Sequence, residues 1–143
     1  MADYGLFIGF GTPVRGREAR SLDVFNEATQ YYSRLQQEGT IESFEVAILE
    51  PHGGDLGGFF LIRGERQKLS QLRVDPDFER LTTRANLAVD GIGIIGATLG
   101  DGMGQSIGMF QEEIPRACVS RRVHAGAQCA HGKRMGSPDE QRR

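Results

Sequence analysis

Apolar and polar positions alternate with period two from Tyr4 to Phe10. Tyr4, Leu6, Ile8 and Phe10 share one side, and Gly5, Phe7, Gly9 and Gly11 the other. Such alternation predicts a strand with unlike faces, and the glycine-rich face calls for close approach by a helix, a ligand or another chain. From about Leu22 to Glu38 the period changes. Phe25, Ala28, Tyr32 and Leu35 make the apolar stripe of an amphipathic helix, with Ser21 as the expected N-cap and Gly39 just past the end. Ile41–Glu50 returns to period two, with Phe44, Val46 and Ile48 on one side. The breakers Pro51-His52-Gly53-Gly54-Asp55 then predict a turn into a strand over Leu56–Arg63, paired with its predecessor as a hairpin.

Glu65–Arg73 has helical character, and Asp75-Pro76 restarts the helix with an N-cap and a proline at its first position. Phe78, Leu81, Ala85 and Ala88 carry the second stripe. Asp90-Gly91 turns into an Ile-rich strand over Ile92–Thr98, and Gln105–Ile114 reads as a last strand, ended by Pro115. The fold class is α+β, in the ferredoxin-like β-α-β-β-α-β order with an extra C-terminal strand. Helices on one face leave the other face in want of cover. Apolar residues stand at both parities of the first, third and fourth strands, so packing of two such sheets in a homodimer is the economical solution, with the extra strand free to cross to the partner.

Charge sharpens the division of the chain. Residues 1–115 carry 10 Lys and Arg against 17 Asp and Glu, a net of −7, while residues 116–143 carry 7 against 2, a net of +5. We therefore expect a domain over 1–115 and a basic, disordered tail over 116–143. The acidic domain argues against a nucleic-acid partner. No apolar run approaches the roughly 20 residues of a membrane span, and the N-terminus lacks the basic and apolar regions of a signal peptide. Both cysteines, Cys118 and Cys129, fall in the tail, so the domain has no disulfide framework and suits a reducing cytoplasm.

In this order of elements, residues 4–114 resemble the dimeric α+β barrel superfamily, which includes the antibiotic-biosynthesis-type monooxygenases and the EthD-like and YCII-related proteins. The resemblance rests on the element order, on the Asp75-Pro76-Asp77-Phe78 restart and on the glycine-punctuated last strands. The segments Glu50–Asp55 and Gly57-Gly58-Phe59-Phe60 look like the signature of an uncharacterised bacterial group in or near it. The resemblance implies a homodimer with a pocket between sheet and helices. Some members are cofactor-independent oxygenases, others bind haem or isomerise small molecules. Their Asn-Trp-His pattern does not map here, because the chain has no tryptophan.

Candidate chemistry is sparse. His52 is the only histidine of the domain and stands near Glu50 and Asp55, as a general base oriented by a carboxylate would, or as a turn histidine that caps backbone groups. Arg15 and Arg17 offer guanidinium forks to a carboxylate or phosphate, or pair locally with Glu18. Tyr32 presents its hydroxyl to a pocket or simply belongs to the core. Gly91–Gly96 has the spacing G-x-G-x-x-G but lies inside a strand with no helix after it, so it is not a dinucleotide site. Cys118, His124, Cys129 and His131 do not follow a structural zinc spacing, so no metal is assigned, and these residues imply no cofactor. Three readings follow: a module binding a small, partly apolar molecule, an enzyme of the same fold using His52, or an assembly protein without a ligand. A pocket, and the direction of the His52 ring, distinguish them.

Overall fold

The computed structural model describes residues 2–121. The period-two segments form β1 (Tyr4–Phe10), β2 (Ser43–Ile48), β3 (Gly58–Arg63) and β4 (Gly93–Thr98). The period-3.6 segments form α1 (Glu18–Gln37), α2 (Arg66–Arg73) and α3 (Pro76–Asn86). The strands make one antiparallel sheet in the order β2-β3-β1-β4, and β2 with β3 is the expected hairpin.

Register decides which residues are buried. Leu6 pairs with Ile62, and Ile8 with Phe60 on one side and Ile94 on the other. This parity faces the helices. Leu6 and Ile62 have no exposed surface, and they meet Val24, Tyr32, Leu69, Phe78 and Leu81 in one core. The opposite parity holds Phe7, Phe59, Leu61 and Ile95, with the Phe7 and Phe59 ring centroids 5.1 Å apart. No helix of the core covers that face, and Ile95 is 61% exposed.

Three sequence expectations need correction. α1 begins one turn before Ser21, at Glu18, whose carboxylate accepts the Gly16 N–H at 3.1 Å. Gly16, at φ +82°, breaks the loop there, and Ser21 instead donates its hydroxyl to the Glu18 carbonyl inside the first turn. The extra C-terminal strand is also absent: its residues lie in α4 (Gly102–Arg121). Met103, Ile107, Phe110 and Ile114 recur at i, i+4, i+7 and i+11, a helical stripe that the shorter alternation of Ile107–Phe110 imitates. Finally, α4 runs through Pro115 and takes in residues 116–121 of the expected tail; residues 122–143 lie outside the described residues. By contacts Met1–Ile107 is one compact unit, and the chain from Gly108 belongs to a second. Among the described residues no helix is long and apolar enough to cross a membrane.

Candidate functional site

α1 places Val24, Ala28, Tyr32 and Leu35 in the core, with Tyr32 against Phe44 of β2 and Phe60 of β3, but its cover of the sheet is incomplete. Ile48 keeps the inward parity of β2, an edge strand of the sheet, and yet is 67% exposed. The space left at this end of the sheet is a cavity of about 640 Å³, within the several-hundred-Å³ range of small-molecule sites. β1 supplies Ile8 and Phe10, α1 supplies Leu22 and Phe25, and α3 supplies Leu81 and Ala85. The segment from Leu49 to Gly57 closes one side.

Its wall is aromatic. Phe25 lies 5.5 Å from Phe60 between ring centroids, Tyr32 lies 5.3 Å from Phe60, and Phe10 meets Phe25 edge-on at 6.4 Å. Burial pushes the Tyr32 phenol well above its ordinary value, with the neighbouring Tyr31 adding to the shift, so the hydroxyl stays neutral. Few other polar side chains reach the lining: Thr12, Ser21, Thr82, His52 and Asp55.

His52 does not reach into this space with a free nitrogen. Its Nδ1 accepts the Gly54 N–H at 3.1 Å, which requires the proton on Nε2, and Nε2 donates to the Leu56 carbonyl at 2.9 Å. Both ring nitrogens are thus engaged within their own loop. Of the residues singled out from the sequence, the cavity brings together His52 and Tyr32. Arg15, Arg17 and Glu50 are exposed and outside its lining, and Arg17 donates to the Leu87 carbonyl at the end of α3. The apolar mouth residues Leu22 and Ile48 and the ring of Phe10 were not singled out. Their signal was available: inward parity for Phe10 and Ile48, and for Leu22 a place beside the stripe of α1.

A groove of about 810 Å³ beside the C-terminal end of α1 mixes Arg34 and Lys68 with Glu38, Asp75 and Asp77, so no single sign of charge collects there. Among the described residues no cluster of three His, Cys, Asp or Glu side chains could hold a metal ion. The side chains of Cys118, His124, Cys129 and His131 lie outside the described residues.

No family model matches the chain, and no curated protein matches it in sequence. Solved structures do match. A dimeric ferredoxin-like protein of unknown function from a Jannaschia species is 13% identical, with a TM-score of 0.53, over 67% of this chain and 99% of that one. A dabb family protein with a ferredoxin-like fold from Mesorhizobium loti is 14% identical, with a TM-score of 0.53, over 68% and 98%. This chain has the ferredoxin-like α+β fold. An ethyl tert-butyl ether d (ethd) family protein from Bacillus halodurans extends the likeness, at 11% identity and a TM-score of 0.52 over 70% and 100%. The ferredoxin-like α+β fold expected from the element order is therefore the one observed, with α4 in place of the extra strand.

Proposed function

We infer that the protein is a homodimeric α+β barrel whose helix-side cavity binds a small, partly apolar organic molecule. The observation that carries this is the cavity itself: about 640 Å³, walled by Phe10, Phe25, Tyr32 and Phe60, with few polar groups turned toward it. Such a lining rewards burial of apolar surface at about 25 cal/mol per Å² and leaves the few polar groups to orient the ligand. Dimerisation draws on the apolar open face of the sheet and on the description of a protein of like fold as dimeric. The fold holds without a disulfide in residues 2–115, which suits the cytoplasm.

An enzyme of the oxygenase or isomerase type would need His52 as its base. With Nδ1 accepting from Gly54 and Nε2 donating to Leu56, that base would first have to leave both partners. The binding reading asks nothing of the ring.

Titration with N-phenyl-1-naphthylamine, an uncharged aromatic fluorophore, tests the site. We expect saturable binding with one probe per protomer. Ile48→Asp, at an exposed mouth position that the core does not need, weakens it by about tenfold, the scale of one lost apolar contact. Binding that is absent, or unaltered in that variant, would overturn the assignment.

A further inference from the structure

We propose that residues 49–57 are a lid over the cavity and that His52 is its latch, a device that governs ligand access; this rests on the binding reading above. The segment contributes Pro51, Gly53, Asp55 and Gly57 among others to the lining, and residues 50–56 are otherwise exposed. It is tied at its base only. Leu49 N–H donates to the Gly57 carbonyl at 2.8 Å, and Gly57 N–H to the Phe10 carbonyl at 2.8 Å. Between these ties, residues 50–56 donate no backbone-to-backbone hydrogen bond outside strands and helices among the described residues.

What holds the arch in shape is the imidazole. The bond from the Gly54 N–H to Nδ1 spans two residues, as an Asx-turn does, and the bond from Nε2 to the Leu56 carbonyl spans four. One ring thereby fixes both the donor at the crown and the acceptor at the descending side. The crown can bend: Gly53 stands at φ +79°, and Gly54 and Gly57 follow. Gly54 is also needed for the ring, because a Cβ there would lie 2.7 Å from His52 Cε1. The lid has one apolar foot. Leu56 Cδ1 lies 3.0 Å from where a Gly9 Cβ would stand, on the open face of the sheet beside Phe7, so the segment wraps the end of β1. Both imidazole bonds stay within the segment, so what seats it on the sheet is Leu56 and the Asp55 carbonyl, whose oxygen lies 3.0 Å from where a Gly11 Cβ would stand; a segment seated by so few contacts opens more readily than the sheet beneath it. His52 here is a positioning residue, not a catalytic one.

The test uses the full chain, amide hydrogen exchange over residues 49–57, and stopped-flow mixing with N-phenyl-1-naphthylamine. His52→Ala removes both bonds, and Gly54→Ala displaces the ring without removing it. Both are expected to raise exchange in the lid, and to speed probe association and dissociation together by about 3- to 10-fold, the range of one or two lost net hydrogen bonds. Because association and dissociation rise together, the probe's equilibrium affinity changes by less than either rate, although His52 itself lines the cavity. His52→Asn, whose side-chain oxygen can accept the Gly54 N–H, restores most of the protection at Gly54 and slows the rates again. Faster exchange with unchanged probe kinetics overturns the lid while leaving the cavity's binding intact, as does unchanged exchange. A wild-type chain that binds no probe overturns the binding reading and removes the lid's purpose with it.

Discussion

Asp75 begins α3 with a single side chain. Its Oδ1 accepts the Asp77 N–H at 3.0 Å and the Phe78 N–H at 3.3 Å, and Pro76 occupies the first helical position, where an amide hydrogen would have had no partner. Asp75→Ala should therefore cost about 1 kcal/mol in urea denaturation, and Asp75→Asn much less. This residue was legible in the sequence because its chemistry is local. Ser21 carried the same signal and caps nothing, because Glu18 binds the Gly16 N–H and starts α1 a turn earlier. A cap is legible only when no nearer residue competes for it. The tyrosines add a pH dependence. Burial pushes Tyr31 up to about 12, with Asp75 and Asp77 adding to it, and pushes Tyr32 up as well. Their folded values lie above the unfolded one, so the unfolded chain loses these protons first as pH rises. The resulting stability is full below about pH 10 and is lost as pH climbs past it. Denaturation midpoints should fall steeply above that pH, and Tyr32→Phe should flatten the fall. An equal slope in both proteins would refute the assignment to Tyr32.

Elements meet where glycines let them. A Cβ on Gly11 would lie 2.7 Å from the Asp90 carbonyl oxygen and 3.0 Å from that of Asp55, so the end of β1 is held between the chain before β4 and the segment before β3. Gly11→Ala should destabilise by about 2 kcal/mol, the range of overpacking against the Asp90 backbone, which is tied to Gly11 and Thr12 and cannot step aside, whereas Gly104→Ala, with nothing within 4 Å, should not. Chemical denaturation of the two variants side by side decides this. The sequence announced close approach at these glycines but not what approached, because the neighbours lie tens of residues away. The same distance hid the cavity. Its walls come from β1, α1, α3 and the hairpin loop, and no spacing along the chain links Phe10, Phe25 and Leu81. Within the last element the difficulty was different. Ile107-Gly108-Met109-Phe110 satisfies a short alternation, and only the longer window from Met103 to Ile114 reveals the helical repeat of α4.

At the scale of the molecule, one face of the sheet remains to be accounted for. Phe7, Phe59, Leu61 and Ile95 stand there together, flanked by an ion pair of exposed Glu45 with half-buried Arg63 at 3.8 Å. A lone protomer gains nothing from so many apolar side chains on a solvated face, whereas two protomers packed sheet to sheet bury them at once. The expectation is a dimer in sedimentation at micromolar protein. Ile95→Lys separates this from a property of the monomer. Because Ile95 is 61% exposed in the single chain, the substitution should change protomer stability by no more than about 0.5 kcal/mol. In a face-to-face dimer it would place a charge against the partner's apolar face, at a cost of several kcal/mol if unpaired. The variant should therefore sediment as a folded monomer with its cavity intact. A wild-type monomer, or a variant that stays dimeric, would mean that some other contact covers this face.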